Sequence, residues 1–335
     1  MPIDVHAHYV PPTILDAVEA RAGEFGLSVV RHPPSCTCAF HFNYGLKVRP
    51  FFPKLVEPVD ARLGEMDAKG IDRQVLSSWG DIFGYGLPKE QARPWHRFLN
   101  EHLAGLCAAH PKRFAMLASV PFPYAQEAAA ELEHAVTQHS AVGAVVAANV
   151  EGKNLGELDL DAFWQAACDL DVGVFIHPVQ AQPAPRSAKF GLSQIAQYTV
   201  DTTLCVGSLI GSGVLDRFPK LRLLLSHGGG TFPYLTGRFD CMHERMDRAA
   251  QSHVAEQPPS AYLQRFWYDT VLHDPSILRW LAERVSVSRV ALGSDYSFPP
   301  ADNDPVATVK AAGFSAAEIK AIVEDNPRDI FPKLS

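Results

Sequence analysis

Eight short apolar runs, each separated from the next by a longer stretch of helical periodicity, constrain this 335-residue chain more than any other feature. The runs lie at residues 3–8, 71–77, 114–120, 143–149, 172–177, 221–226, 266–270 and 289–293. Short continuous apolar segments of this kind suit strands covered on both faces. Helical patterns over 60–69, 90–110, 125–139, 160–171, 193–218, 233–248 and 276–284 fill the gaps, and a last one over 315–324 closes the chain. A strand that returns parallel to its predecessor needs a crossover, usually a helix. Eight such units predict an α/β chain closed into a (β/α)8 barrel, one domain over residues 1–335. An open doubly wound sheet is the alternative. It would usually carry a Gly-rich phosphate loop after its first strand, whereas this strand runs through His6-Ala7-His8 into Tyr9-Val10-Pro11-Pro12.

Residues 28–58 do not fit a plain barrel. They carry Pro33, Pro34, Cys36, Cys38, several aromatic residues, Lys47 and Arg49, and they read as an excursion inserted after the first strand. Loops in that position lie on the catalytic face of a barrel, so a lid or a small antiparallel flap is expected. Cys36 and Cys38 lack a second pair nearby, and an ordinary loop is the stronger reading than a metal site.

The ends of the apolar runs carry the chemistry. Alternation along a strand puts His6 and His8 on one side, pointing into the barrel, where two imidazoles can bind one ion. A His-x-His pair alone also fits two polar residues at a strand end. The fifth run ends at His177, the sixth at His227 and the eighth at Asp295. A single buried histidine is more often a satisfied core residue, but four such endings on one rim point to a metal site. Nitrogen and carboxylate ligands suit Zn²⁺, and Mn²⁺, Fe²⁺ or Co²⁺ also fit. His227 would then serve as base or acid beside the metal. Gly228, Gly229 and Gly230 read either as a tight turn or as backbone passing close to a substrate. Asp269 and His273 read as groups holding a ligand histidine from behind, with a helix cap as the alternative for Asp269. Trp95 and His96 read as surface or core packing.

Composition excludes more than it assigns. A net charge of −7 gives no reason to expect a nucleic-acid partner. No run of about eighteen uncharged apolar residues suggests a membrane span. The N-terminal segment has no basic or apolar signal region. Six cysteines without such a signal fit reduced thiols in a cytoplasm.

Taken together, these residues resemble the amidohydrolase superfamily, in its branch of metal-dependent non-oxidative decarboxylases similar to aminocarboxymuconate semialdehyde decarboxylase. The likeness covers nearly the whole chain. It rests on residues 4–8, 65–70 (EMDAKG), 111–114 (PKRF), 175–178 (FIHP), 218–221 (FPKL), 227–233 (HGGGTFP), Gly237-Arg238, 268–275 (YDTVLHDP) and 292–299 (LGSDYSFP). It implies a distorted TIM barrel holding one divalent metal, Zn²⁺ in first place and Mn²⁺ in second, on His6, His8, His177 and Asp295. It implies His227 as the catalytic histidine, with Asp295 or His227 delivering a proton. Arg49 is similar to an arginine that binds a substrate carboxylate, and Arg238 to one lent across a dimer interface. For both, a surface salt bridge is the plain alternative. Phe298 is expected to line the pocket.

The expected activity is therefore a carboxy-lyase acting on a small carboxylated aromatic or muconate-like acid, in a homodimer or dimer-based oligomer. A mononuclear hydrolase or hydratase of a lactone, amide or unsaturated acid is the second reading, and a scaffold without catalysis the third. Binuclear hydrolases of the superfamily carry a lysine on the fourth strand, and residues 142–149 contain none. Two features depart from close relatives: Val179 stands where they have tryptophan, and 28–47 has no counterpart. Both bear on the substrate pocket.

Overall fold

The computed structural model describes residues 1–32, 37–179 and 185–334. The first strand, β1 (Ile3–His8), is buried along its whole length. Helix α1 (Thr13–Arg21) follows, then an antiparallel hairpin of β2 (Leu27–His32) and β3 (Thr37–Phe42). Helix α2 (Val59–Ala68) leads into β4 (Arg73–Ser77), and α3 (Lys89–Ala109) into β5 (Phe114–Ser119). Helix α4 (Ala125–His139) leads into β6 (Gly143–Ala147). A small antiparallel pair, β7 (Asn149–Val150) and β8 (Lys153–Asn154), precedes α5 (Asp161–Asp169) and β9 (Gly173–His177). Helices α6 (Tyr198–Gly211) and α7 (Val214–Arg217) bring the chain to β10 (Arg222–Leu225). Helix α8 (Phe232–Arg245) precedes β11 (Phe266–Asp269), and α9 (Pro275–Val285) precedes β12 (Val290–Ala291). Helices α10 (Pro305–Ala311), α11 (Ala316–Lys320) and α12 (Asn326–Ile330) end the chain.

Among the described residues the large sheet has eight strands in the order β1-β4-β5-β6-β9-β10-β11-β12, and its neighbouring strands pair in parallel. Closure comes from the backbone: Val5 N–H donates to Leu292 O at 2.8 Å, Asp295 N–H to His6 O at 2.8 Å and His8 N–H to Tyr296 O at 2.8 Å. The expected (β/α)8 barrel is therefore the observed one, with first and last strands sewn together where His6, His8 and Asp295 lie. The β1–β4 register slips between Asp4 and Ala7. Such a bulge bends a strand and re-aims its side chains, and here it falls on the two histidines.

The structure differs from the sequence pattern at several ends. The last strand is shorter than 289–293, because Thr270 Oγ takes up Gly293 N–H at 3.0 Å and the chain turns at Asp295, whose φ is +58°. The helix expected over 193–218 is one π-turn and two α-helices, broken at Gly213 with φ +71°. The pattern over 315–324 continues through a π-turn into α12. Helices α1 and α10 were not expected. The excursion at 28–58 contains most of the β2–β3 hairpin. A separate apolar cluster holds that hairpin, with Phe25, Phe40, Phe42, Trp95 and Phe98 at its heart. Cys38 is buried in the same cluster, while Cys36 lies outside the described residues.

Trp95 and His96 are both core residues. Trp95 is buried and its indole N–H donates to Ile82 O at 2.8 Å. His96 is buried against the rings of Phe83 and Tyr85. Burial lowers its pKa to about 3. Below pH 6.5 the unfolded chain therefore binds a proton that the native state refuses until near pH 3. Stability is therefore expected to fall as pH falls through that window. The urea midpoint of His96→Phe, compared with wild type from pH 7 to pH 4.5, should lose this part of the acid sensitivity. Parallel pH profiles for the two proteins would rule the assignment out.

Candidate metal centre

The site is assembled from the carboxyl ends of four barrel strands, the face on which barrels place their chemistry. β1 presents His6 and His8, both fully buried, with their Nε2 atoms 3.1 Å apart. β9 ends at His177, whose ring centroid lies 4.6 Å from that of His8 and 5.0 Å from that of His6. Beyond β12, Asp295 turns one oxygen toward all three imidazoles. Its Oδ1 is 3.1 Å from His6 Nε2, 3.4 Å from His8 Nε2 and 3.9 Å from His177 Nε2. Its Oδ2 faces His227 Nε2 at 3.5 Å. Donor atoms of His6, His8, His177 and Asp295 all lie within 4.8 Å of one another, and among the described residues no other group of three or more possible ligands does so.

Outer groups fix each of these side chains. Asp269 Oδ2 accepts from His6 Nδ1 at 2.6 Å, which leaves Nε2 to face the cluster. The same carboxylate accepts from the backbone N–H groups of His227 and Gly228, each at 2.9 Å. One side chain thus orients a ligand imidazole and anchors the loop that carries His227, where φ is +53°. Ser77 Oγ lies 2.9 Å from His8 Nδ1. Asp4 ties the two sewn strands together: it accepts from Ser294 Oγ at 2.6 Å, Ser294 N–H at 3.1 Å, His6 N–H at 3.1 Å and Gln74 Nε2 at 2.9 Å. The buried Arg62 guanidinium reaches His8 O at 3.0 Å and Gln74 Oε1 at 2.8 Å.

These residues fit a divalent cation. Both ring nitrogens of His177 and Nδ1 of His227 are buried without a hydrogen-bond partner. Unsatisfied buried polar atoms are costly and rare. Donors ringing one ion at about 2.0–2.2 Å stand roughly 3–3.5 Å from each other, the range observed between His6, His8 and Asp295. Electrostatics agree. Burial opposes charge on Asp295, but His6, His227 and His8 outweigh it and hold the carboxylate well below its usual range. Burial lowers His8 to about 4, and burial with the neighbouring imidazoles lowers His177 well below its usual value. Both present neutral lone pairs, the form that ligates. For His6 burial also opposes charge, yet Asp295 and Asp269 prevail and raise its pKa, so a proton and a cation compete for the same Nε2.

Asp269 gives a sharp prediction. An asparagine there keeps the volume but removes the carboxylate that orients His6. Metal affinity of Asp269→Asn, read by chelator competition, should fall about 10- to 100-fold. Unchanged affinity would mean that the His6–Asp269 contact has no bearing on the metal.

A cavity of about 580 Å³ opens onto the cluster, lined by His177, His227 and Asp295 together with Arg49, Trp79, Asp81, Tyr198 and Phe298. The ring of Phe298 sits 4.9 Å from that of His8. Gly230 lines the cavity with φ +63°, and a Cβ there would run into the carbonyl of Thr199, so close backbone approach requires glycine. His273 also lines the cavity. Arg49 does so as well, but it is already engaged: Nη2 lies 3.1 Å from Asp81 Oδ2 and donates to Tyr198 Oη at 3.2 Å. Arg238 does not reach the cavity of its own chain; it lies exposed on α8. Sequence reasoning missed Asp4, Asp81 and Tyr198. The position of Asp81 just beyond the end of β4 was the available signal.

Comparison with known proteins adds to this geometry. A family model described as Amidohydrolase matches residues 3–333. The chain is 31% identical over 298 residues to a 2-amino-3-carboxymuconate-6-semialdehyde decarboxylase from Dictyostelium discoideum, covering 89% of this chain and 82% of that one. Its fold matches 5-carboxyvanillate decarboxylase from Sphingomonas paucimobilis with a TM-score of 0.82 at 22% identity, covering 99% of this chain and 98% of that chain. It also matches a dihydroxybenzoic acid decarboxylase from Polaromonas sp. JS666, solved with bound manganese and 2-nitroresorcinol. There the TM-score is 0.76 at 22% identity, with 99% and 96% covered.

Proposed function

The chain belongs to the amidohydrolase family, and from that premise we propose that it is a metal-dependent, non-oxidative decarboxylase of a small carboxylated aromatic or muconate-semialdehyde-like acid. One observation carries the reading: His6, His8, His177 and Asp295 converge in a buried cluster, with His227 3.5 Å from the same carboxylate and a cavity opening onto His177, His227 and Asp295. The relatives are named for decarboxylation of an aminocarboxymuconate semialdehyde, a carboxyvanillate and a dihydroxybenzoic acid. Those names favour a carboxy-lyase over the hydrolase or hydratase that the residues alone also allow. β6 reads Gly-Ala-Val-Val-Ala, with no lysine to bridge a second metal.

Decarboxylation breaks a carbon–carbon bond and leaves its electron pair on the substrate carbon, which must be stabilised and then protonated. A divalent cation on the four ligands would supply a Lewis acid that draws electron density from substrate oxygens. His227 holds a proton at Nε2 and delivers it to the carbon as CO₂ departs. Asp295, facing that nitrogen with Oδ2, orients the imidazole and takes part in the proton's transfer. Arg49 orients an acidic group of the substrate, and Phe298 with Trp79 forms an apolar wall.

The three imidazoles and one carboxylate suit zinc first and manganese second, the second being the ion in the Polaromonas protein. Arg238 shares the exposed side of α8 with Tyr234 and Met242, which are 77% and 50% exposed. We read that face as the contact of a homodimer in which each Arg238 serves the neighbouring cavity. The cysteines at 38, 107, 168, 205 and 241 are all unpaired, which supports a reducing, cytoplasmic setting. No helix among the described residues is long and apolar enough to cross a membrane.

The test is direct. Metal-loaded protein is incubated with hydroxybenzoic, carboxyvanillic and muconic-type acids, and separately with lactones and amides, while CO₂ and hydrolysis products are followed. CO₂ release from at least one acid, with the lactones and amides untouched, is the expected result. Hydrolysis without CO₂ would replace this reading with the hydrolytic one.

A further inference from the structure

A second cavity, of about 260 Å³, lies at the opposite end of the barrel from the metal cluster. Its walls come from the amino ends of four neighbouring strands: Asp171 before β9, Arg222 at the start of β10, Arg265 before β11 and Arg289 before β12. Lys220 also lines it, so four cations face one acid in a chain whose net charge is −7. Asp171 pairs with Arg222 at 3.0 Å, and Arg222 also donates to Asp329 O at 2.8 Å. Lys220, Arg265 and Arg289 form no ion pair among the described residues. Arg265 donates to the carbonyls of Leu215, Phe218 and Pro219, which fix its guanidinium without neutralising it. Arg289 lies 4.3 Å over the ring of Trp267, and its guanidinium has no hydrogen bond to a described residue. Burial lowers its pKa; Asp329 opposes the fall, and Arg265 and Arg222 add to it. Trp267 is 7% exposed and lines the same cavity, and its indole N–H has no hydrogen-bond partner among the described residues. Buried donors left alone are rare and call for an acceptor. Like charges gathered in a concave wall attract small counter-ions to it.

We infer that this cavity binds a phosphate group, free or carried by a small ester, on the face of the barrel away from the metal. The cations approach from separate strands and outnumber the acids, which suits an ion with several acceptor oxygens and more than one charge. A phosphate offers three such oxygens and about two negative charges at neutral pH, whereas a carboxylate offers two oxygens and one charge. The planar fork of Arg289, laid flat against Trp267, takes two oxygens side by side. Arg265 and Lys220 meet the remaining charge. The volume lies below that of pockets holding drug-sized ligands, so the ester is limited to a few carbon atoms. The site is independent of the carboxy-lyase reading and stands or falls apart from it.

Calorimetric titration at constant ionic strength tests it on the metal-loaded protein. The probes are inorganic phosphate, glycerol 3-phosphate, malonate and acetate, titrated into wild type, Arg289→Gln and Lys220→Gln. Wild type should bind the two phosphate probes saturably and at least about tenfold more tightly than malonate or acetate. Arg289→Gln should lose about tenfold or more of that affinity, the worth of a charge-assisted two-point contact. Lys220 is exposed, and its replacement should cost about threefold, the loss of one surface charge. Both variants should load metal as wild type does, which shows that the fold and the far end of the barrel are intact. Phosphate resting on the metal would ignore both substitutions, so isotherms unchanged in the variants overturn the site. Absence of saturable phosphate binding to wild type, or malonate bound equally tightly, also overturns it. Should Arg289→Gln not fold, Lys220→Gln carries the same readout. Tighter binding of glycerol 3-phosphate than of inorganic phosphate assigns the site to an ester, and the reverse order to the free ion.

Discussion

His227→Ala is expected to bind metal like wild type and to lose about 10²- to 10⁴-fold in turnover, the usual contribution of a positioned acid or base. The imidazole stands apart from the ligand set. Its Nε2 faces Asp295 Oδ2, while Oδ1 faces the other three histidines. It is also the most exposed of the four histidines, with 14% of its side chain open to the cavity. Its removal should therefore leave the cation in place. Metal analysis and single-turnover kinetics on the same preparation separate the two effects. A variant with full metal and near wild-type rate would remove His227 from the proton transfer. A variant that had lost its metal would make His227 a ligand instead.

His177→Ala is expected to do the opposite: the metal goes, and activity with it. Both ring nitrogens of His177 are buried without a hydrogen-bond partner, and burial makes its charged form unfavourable. With no hydrogen bond to account for a buried imidazole, ligation is the role left for it. Metal affinity should drop by more than about a hundredfold, beyond the loss expected from an outer partner such as Asp269. Thermal denaturation offers an independent check. A cation at a hundred times its Kd stabilises the native state by about 2.7 kcal/mol, and this gain should be present in wild type and absent in His177→Ala. An equal rise in Tm for both proteins on adding metal would show that the ion binds without His177.

Much of this site was legible because strand interiors leave polar residues nowhere to hide. His6 and His8 close the first apolar run, His177 ends the fifth and Asp295 follows the eighth, and a closed barrel has only one rim on which such endings can meet. Asp269 was harder to place, since an aspartate shortly before a helical pattern also reads as a cap. The structure resolves this through Asp274, which caps α9 itself by accepting from Ser276 N–H at 2.8 Å, leaving Asp269 for His6. Asp4 gave no signal of its latch to Ser294, because that contact joins residues 290 positions apart. The partners of Arg49 were equally hidden: the sequence offered a carboxylate-binding arginine or a salt bridge without naming its acid, and only folding brings Asp81 and Tyr198 to it. Helix α10 begins with Asp304 accepting from Ala307 N–H at 3.0 Å and Pro305 in the first turn. That Asp-Pro start is a readable signature, obscured by the proline-rich stretch before it. The π-turn at Ser193–Gln197 left no comparable mark in the pattern.

Diffraction data collected on either side of a metal absorption edge test the central claim most directly. One anomalous peak per chain, within about 2.0–2.3 Å of His6 Nε2, His8 Nε2, a His177 ring nitrogen and an Asp295 oxygen, is the predicted result. A metal-supplemented, active crystal with no peak there, or with its ion elsewhere in the chain, would contradict the account.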